Sequence, residues 1–430
     1  MIELNIVVLP ARSAEAKADP VFYLAGGPGQ AAALIATAGE DSIMRALRAE
    51  RDLVFVDQRG SGDSNGLQCD FPIDRGQVQN FFVELFELSA IQSCHAKLAG
   101  GADLRYYTTP LAVDDLEEVR RALGYQKINL YGVSHGALAA LEYLRRYPDA
   151  LRSAALAGVA TLAAQLPLQF AQGAEHAMNH LLADCAADPT CNHAFPNLAE
   201  KFAALLRSFA AGPAQIQVVH AVLRAPQSAT LPRGSFVLRL LAMLYSHRSA
   251  RLLPLVIDRA SQGDWAPYVQ GLLGARTTPE YRVFLGAYLS ATCSETVARI
   301  AEVEVAAATA NTFIGDYRTR RHQQACIHWP HGEIADDFYR PVRATTPVLM
   351  LSGDIDPATP VKFAAEALKN LPNGRQVILR NTPHEYGSAC VRDLIAAFIA
   401  AGSAHELDTS CGARLRRPPF ATELPASYNR

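Results

Sequence analysis

The protein has 430 residues, of which 50% are hydrophobic, and its formal net charge at pH 7 is −2. This length exceeds what a single hydrophobic core usually holds, so we expect two lobes. The near-neutral charge argues against a nucleic-acid partner. No apolar run approaches the roughly 18 residues that span a bilayer, so we expect a soluble protein without membrane insertion. The sequence carries no signal for an oligomeric state.

Residues 1 to about 160 alternate strand and helix signals, as a mostly parallel sheet flanked by helices requires. The predicted elements are, in chain order, a strand early in 1–8, strands 21–25 and 53–56, helix 112–123, strand 128–131 and helix 136–147. From about 163 to 340, helical stretches rich in alanine and leucine dominate, among them 198–209 and 235–245. Strand-like runs resume at 347–351 and 376–379. We therefore predict an α/β core formed by 1–162 and 341–430, with a helical cap, 163–340, inserted between its two parts.

A serine between two glycines lies where the predicted strand 128–131 meets the predicted helix 136–147. The stretch Gly132-Val133-Ser134-His135-Gly136 has the pattern G-x-S-x-G. On such a turn the hydroxyl is exposed above the sheet, and the glycines let the backbone pass closely without a Cβ clash. Ser134 is therefore the predicted nucleophile, although the pattern alone also fits an ordinary strand-to-helix turn.

A nucleophilic serine needs a histidine to accept its proton and an acid to orient that histidine, and α/β-hydrolases supply them in the chain order Ser, Asp, His. Asp356 lies in a turn-rich segment just after the strand-like run 347–351, and we predict it as the acid, with Asp354 as the alternative. His384 follows the run 376–379 and lies 28 residues after Asp356, which leaves room for one helix and one strand. It is the predicted general acid/base.

The oxyanion of an acyl-transfer reaction needs preorganised N–H donors. The glycine-rich turn 26–29 follows the apolar strand 21–25 and can expose backbone N–H groups. We predict that Gly27 and His135, the residue after the nucleophile, supply the donors. A phosphate-binding turn is the alternative, but neither G-x-G-x-x-G nor a Walker lysine is present.

Three motifs together resemble prolyl iminopeptidases and the related secreted tripeptidyl aminopeptidases: Gly26-Gly27-Pro28-Gly29, Asp57-Gln58-Arg59-Gly60-Ser61-Gly62-Asp63-Ser64, and Gly132 to Gly136. The resemblance continues through 185–191 to the C-terminal region with His384, Cys390 and Cys411. It implies an α/β-hydrolase fold with a mostly parallel central sheet, and a serine exopeptidase, without a cofactor, that releases short pieces from peptides with a free amino terminus.

The chain departs from that family at three positions beside the predicted site. Ala25 replaces the histidine that usually precedes Gly-Gly-Pro-Gly, and His135 replaces a bulky aromatic residue. Glu385 replaces the usual glycine after the catalytic histidine. None of these is a member of the predicted triad, so the departures bear on substrate preference.

Eight cysteines are compatible with 105 pairings, and the resemblance implies four disulfides between neighbours in sequence. The implied pairs are Cys69 with Cys94, Cys185 with Cys191, Cys293 with Cys326, and Cys390 with Cys411. Disulfides persist in oxidising compartments, so we expect a secreted or periplasmic protein whose leader is absent from this chain. A cytoplasmic enzyme with reduced cysteines is the alternative. No metal site is predicted.

An exopeptidase must pair the ammonium group of its substrate with a carboxylate, because an unpaired charge in a closed site is costly. Glu295, two residues after Cys293, is the first candidate, and Glu385 is the second. The basic cluster from Arg318 to Arg321 is interpreted as a solvated face. The alternative functions are a carboxylesterase or amidase with the same triad, and a binding protein that has lost activity.

Overall fold

The computed structural model describes residues 2–37, 42–69, 74, 76–220, 223, 225–274 and 282–425. Its strands are β1 (Ile6–Leu9), β2 (Val21–Leu24), β3 (Leu53–Val56), β4 (Ile128–Val133), β5 (Leu151–Ala157), β6 (Ala214–Val219), β7 (Pro226–Leu231), β8 (Val348–Gly353) and β9 (Gly374–Leu379). Seven of them form one sheet in the order β1-β3-β2-β4-β5-β8-β9. β1 runs antiparallel to β3, and all other neighbours are parallel. This is the mostly parallel sheet of the α/β-hydrolase fold, which confirms the predicted fold class.

The helices of the described residues cover both faces of the sheet and fill the long insertion. They are α1 (Ala32–Thr37), α2 (Ser42–Leu47), α3 (Leu88–Ala99), α4 (Thr109–Ala122), α5 (His135–Arg146), α6 (Leu166–Ala187), α7 (Pro189–Ala194), α8 (Leu198–Ser208), α9 (Arg233–Leu244), α10 (His247–Ala250), α11 (Leu253–Ser261), α12 (Ala266–Gly274), α13 (Leu285–Glu295), α14 (Glu302–Thr309), α15 (Tyr317–Ile327), α16 (Lys362–Leu368), α17 (Ala389–Ala401) and α18 (Ser410–Arg414).

Successive residues of each central strand point to opposite faces, and both faces are buried. In β2, Phe22 and Leu24 pack against α4 and α5, whereas Val21 and Tyr23 pack against α2 and α17. All four residues of β2 are buried. A short, wholly apolar run is therefore the correct sequence signal for such a strand, and it is the signal from which 21–25 and 53–56 were predicted.

Between β5 and β8 the described residues form the ten helices α6 to α15 and a separate two-stranded sheet of β6 and β7. The expectation for 163–340 was that helical stretches dominate, and this small sheet is an addition to them. β6 and β7 pair antiparallel, and Ile216 and Val218 are buried while the glutamines beside them are exposed. This alternation of apolar and polar residues was visible in the sequence and is typical of a half-buried strand.

The segment between β3 and α4 packs against the inserted helices rather than against the sheet. Most of its buried apolar residues form one cluster with residues of, or next to, α13 and α15. The members of this cluster are Leu67, Cys69, Ile91, Cys94, Leu104, Tyr107, Leu289, Cys293, Val297, Ala325, Cys326 and Trp329. Residues before 163 therefore contribute to the inserted lobe. The division of the chain at 162 and 340 stays a prediction.

All eight cysteines are paired, in the four pairs that the family resemblance implied. The bridge from Cys293 to Cys326 joins α13 to α15, and the bridge from Cys390 to Cys411 joins α17 to α18. In the described parts of the chain, we find no helix with both the length and the apolar character needed to cross a membrane.

Candidate active site

The predicted site residues follow the carboxyl ends of neighbouring parallel strands. Gly26 comes after β2, Ser134 after β4, Asp356 after β8 and His384 after β9. The chain order reverses between β2 and β4, and ligands of open α/β sheets bind in the crevice that forms at such a switch point. The topology alone therefore brings these four residues to one edge of the sheet.

Ser134 lies at the junction of β4 and α5 with φ 57° and ψ −121°. This conformation strains a residue that has a Cβ, and the glycines two residues before and after Ser134 let the surrounding chain segments pass closely. A Cβ on Gly136 would lie 2.0 Å from the carbonyl oxygen of Leu24, and one on Gly132 would lie 2.5 Å from that of Gly136. The two glycines of the G-x-S-x-G pattern are thus explained by the close approach of β2, β4 and the start of α5.

Asp356 is buried and accepts a hydrogen bond from His384 Nδ1, with 2.7 Å between Nδ1 and Oδ2. Its Oδ1 accepts from the N–H groups of Ala358 and Thr359, and its Oδ2 also accepts from the hydroxyls of Thr359 and Tyr386. Burial favours the neutral acid, but the attraction and hydrogen bond of His384, with the hydrogen bonds of Thr359, outweigh it and lower the pKa of Asp356 to about 2. The carboxylate is therefore charged at neutral pH.

The alternative acid, Asp354, does not contact His384. Its Oδ1 accepts from the N–H of Thr382 at 3.3 Å, and burial raises the pKa of Asp354 above its usual value. Of the two aspartates, the structure therefore brings Asp356 to His384.

The imidazole of His384 is held between the core and the insertion. A Cβ on Gly158, just after β5, would lie 2.9 Å from His384 Cε1, so only a glycine leaves room for the ring. On the other side Tyr245 contacts the ring edge-on, with 5.3 Å between ring centroids. Neither contact was predicted from the sequence, because both join residues far apart in the chain.

A cavity of about 410 Å³ opens above this edge of the sheet, which is in the usual size range of small-ligand sites. Its lining includes Ser134, His384, Gly27 and His135, together with residues of α6, α13 and α15. The aromatic and charged side chains of its walls include Phe170, Tyr245, Tyr288, Glu295 and Arg318. Among the described residues of the lining, Glu295 is the only carboxylate and Arg318 the only guanidinium.

Both predicted oxyanion donors line this cavity. His135 is the first residue of α5, where the helix offers its N–H no internal acceptor and where the positive end of the helix dipole lies. Gly27 has φ 109°, and a Cβ there would lie 2.8 Å from the backbone nitrogen of Gly29. The turn thus requires glycine.

Glu295 is 4% exposed and ends α13. Its Oε1 accepts from the N–H of Thr109 and its Oε2 from the Thr109 hydroxyl at 2.9 Å. Burial raises the pKa of Glu295 to about 7 against the effect of these hydrogen bonds. Because the Thr109 hydroxyl has a single proton, which Glu295 accepts, the same hydroxyl accepts from His135 Nε2 at 3.1 Å. Burial also lowers the pKa of His135 to about 4, which keeps that ring neutral.

Two sequence predictions need correction. Glu385 is exposed, accepts from the N–H of His247 at 3.0 Å and does not line the cavity, so the structure does not bring it to Ser134. Arg318 was interpreted as part of a solvated face, yet it lines the cavity with its guanidinium 3.9 Å from the ring of Phe170. Arg320, in the same cluster, is indeed paired at the surface with Glu302.

In the described portion of the chain, no three or more His, Cys, Asp or Glu side chains are grouped so that they could hold a metal ion.

Comparison with known proteins gives matches along most of the chain. Residues 311–411 match the TAP-like protein family. The serine protease Hip1 of Mycobacterium tuberculosis is 22% identical in an alignment that covers 90% of this chain and 79% of that protein. The putative hydrolase YuaR of Escherichia coli is 28% identical over 160 residues, 37% of this chain and 31% of that one. Among solved structures, proline iminopeptidase of Mycobacterium smegmatis is 17% identical with a TM-score of 0.47, covering 93% of this chain and 95% of the other.

The sequence matches, to a serine protease and to the TAP-like proteins, confirm the resemblance drawn from the motifs at the level of a serine peptidase or hydrolase. The strand order of the sheet identifies the fold without the use of these matches. The chain has the α/β-hydrolase fold, and it is similar to the serine protease Hip1 along most of its length and to the TAP-like proteins over residues 311–411.

Proposed function

We propose that the protein is a serine aminopeptidase that releases short N-terminal pieces, a single residue such as proline or a di- or tripeptide, from peptides. Ser134 is the nucleophile, His384 the general acid/base and Asp356 the residue that orients it. The observation that carries this proposal is the hydrogen bond of 2.7 Å between His384 and a buried, charged Asp356, on an imidazole that lines the same cavity as Ser134.

The reaction follows from these roles. His384 Nε2 accepts the proton of the Ser134 hydroxyl as Oγ attacks the scissile carbonyl carbon, and the N–H groups of Gly27 and His135 stabilise the negative charge on the carbonyl oxygen. The imidazolium then donates its proton to the departing amine, which leaves the N-terminal piece as an ester of Ser134. Water, deprotonated by His384, hydrolyses that ester and frees the serine.

Glu295 is proposed to bind the ammonium group of the substrate. It is the carboxylate of the cavity lining, and a bound cation favours its charged form against the burial that raises its pKa to about 7. An N-acetylated peptide has no ammonium to offer and would leave this buried carboxylate unpaired. Exopeptidase selectivity then arises from one charge pair beside the nucleophile.

The test compares kcat/KM for matched free-amine and N-acetylated aminoacyl and peptidyl anilides. We expect the unmodified enzyme to prefer the free amine by about 10-fold or more, because a desolvated charge pair contributes a few kcal/mol. Glu295→Gln should lose this preference, whereas Glu385→Gln, a matched change outside the cavity, should keep it. Equal rates on free and acetylated substrates would refute the aminopeptidase proposal. A preference that survives in Glu295→Gln would refute only the choice of residue.

A carboxylesterase or amidase is the second candidate, since the same triad serves any acyl transfer. One observation favours it: both carboxylate oxygens of Glu295 already accept hydrogen bonds from Thr109. An esterase would hydrolyse small neutral aryl esters faster than any free-amine anilide and would be indifferent to N-acetylation.

We also propose that the enzyme works in an oxidising compartment, secreted or periplasmic. The four disulfides support this location, because such bonds are rare in reducing compartments. The division into a core of 1–162 and 341–430 and a cap of 163–340 is likewise proposed, with the cap as the part that shapes the substrate cavity.

A further inference from the structure

Arg318, the second residue of α15, carries a positive charge in the cavity that no carboxylate of the described residues neutralises. Its guanidinium lies 3.9 Å from the ring centroid of Phe170, and its Nε is buried without a hydrogen-bond partner. Across the parts of the chain that the structure describes, no carboxylate lies within ion-pair distance of it. An unpaired charge in a partly closed site is costly, so the site favours a ligand that supplies the missing anion.

Two titratable side chains near Arg318 are neutral. His322, one turn further along α15, is buried, and this burial together with the nearby charge of Arg318 lowers the pKa of His322 to about 3. On the cavity wall, burial raises the pKa of Tyr245 above its usual value. Neither side chain offers a negative charge near neutral pH.

The position of Arg318 relative to Glu295 is fixed by covalent and polar links between their helices. The disulfide from Cys293 to Cys326 joins α13, which ends at Glu295, to α15. Tyr288 of α13 is hydrogen-bonded to His322 of α15, with 2.8 Å between the hydroxyl and Nε2. The cavity therefore presents one acidic and one basic group on a rigid pair of helices.

We propose that Arg318 binds a carboxylate of the substrate, so that the cavity selects peptides that carry a carboxylate as well as a free ammonium. The proposal rests on the proposed aminopeptidase function. A guanidinium stacked on an aromatic ring keeps its edge available for two parallel hydrogen bonds to a carboxylate, a geometry that an ammonium or an amide cannot reproduce. The carboxylate belongs either to an acidic side chain of the peptide or to the C-terminus of a very short one.

The experiment measures kcat/KM for substrate pairs that differ only in one carboxylate. One arm uses free-amine peptidyl anilides with Glu or Gln at each of the first three positions, and the other uses di-, tri- and tetrapeptides with a free or an amidated C-terminus. We expect a preference of about 10- to 100-fold for the carboxylate in one arm, which identifies its source. Arg318→Gln should abolish that preference and Arg318→Lys should keep part of it.

Arg320→Gln is the matched control, because Arg320 lies on the same helix but pairs with Glu302 and Asp316 at the surface. It should show the same ratios as the unmodified enzyme. Equal kcat/KM within every pair, or a preference that persists in folded Arg318→Gln, would overturn the proposal.

A binding measurement covers the case in which the Arg318 variants do not fold. Calorimetric titration of the Ser134→Ala variant, which keeps Arg318, should show tighter binding of the carboxylate member of the preferred pair, and equal affinities would overturn the proposal. Failure of the proposed aminopeptidase function can be distinguished from failure of the carboxylate site. If N-acetylated peptides are cleaved as fast as free ones while a carboxylate preference still depends on Arg318, the amine site is refuted and the carboxylate site stands.

Discussion

Asp356 accepts hydrogen bonds from four groups besides His384, and this network explains why a buried carboxylate stays charged. Two of the donors, the hydroxyls of Thr359 and Tyr386, share Oδ2 with the imidazole. They hold the oxygen in one orientation, so that the hydrogen bond to His384 fixes both the tilt of the ring and the tautomer with a proton on Nδ1.

The first prediction compares the two aspartates that follow β8. Asp356→Asn should reduce kcat by about 10³-fold or more, because an amide can donate to Nδ1 and favours the wrong tautomer of His384. Asp354→Asn should change kcat by less than about 10-fold, since Asp354 contacts Thr382 and not His384. Steady-state turnover of a free-amine anilide, with Ser134→Ala as the inactive reference, measures both. A larger loss in Asp354→Asn would show that the acid is misassigned.

The second prediction concerns Glu295 and pH. Its pKa is raised from 4.5 to about 7 in the folded protein, so the folded state keeps a proton that the unfolded state has lost. The stabilisation is fully present below pH 4.5 and is lost as the pH rises to about 7, a change of roughly 3 kcal/mol in the free energy of unfolding. Denaturant titrations between pH 5 and 8 should show this decline, and Glu295→Gln should flatten it. An equal slope in the variant would contradict the assignment to Glu295.

At the scale of elements, the turn between β4 and α5 is the most constrained part of the site. The third prediction is that Gly136→Ala destabilises the protein by several kcal/mol, because the new Cβ would lie 2.0 Å from the carbonyl oxygen of Leu24 on β2. Gly101→Ala is the control, since a Cβ there meets nothing within 4 Å, and it should change stability by less than about 0.5 kcal/mol. Thermal unfolding of both variants measures the difference. A native melting temperature for Gly136→Ala would show that β2 and α5 pack less closely.

The sequence predicts those elements that a local pattern of residues determines. Strands β2, β3 and β8 contain short apolar runs and β9 ends in one, and the site residues after these strands were predicted from chain order and spacing. β5 was not predicted, because its sequence is rich in alanine and has no β-branched residue; its position between β4 and β8 makes it a strand. Arg318 was misinterpreted because only the packing of α15 against α6 and α13 decides which member of a basic cluster lines the cavity.

At the scale of the whole molecule, one disulfide, Cys293–Cys326, joins two helices that line the cavity, and the others tie neighbouring segments to each other. Cys69–Cys94 and Cys293–Cys326 lie in one hydrophobic cluster, which joins the segment before α4 to the inserted helices. Cys390–Cys411 joins α17 to α18, near the end of the described chain. The cavity is thus shaped by segments that are distant in sequence.

The fourth prediction follows from this arrangement. Enzyme purified from an oxidising host should contain no free thiol, even when unfolded, because all eight cysteines are paired. The bridges close loops of 25, 33 and 21 residues, besides a short one of 6, and each of the longer ones should add roughly 2 to 4 kcal/mol to stability by restricting the unfolded chain.

Reduction under denaturing conditions should release eight thiols. The reduced protein should melt at a clearly lower temperature, and it should lose turnover as the helices that carry Glu295 and Arg318 separate. The measurements are thiol titration with and without reductant, calorimetric melting, and activity after reoxidation. Eight titratable thiols in active, natively purified enzyme would contradict both the pairing and the proposed oxidising compartment.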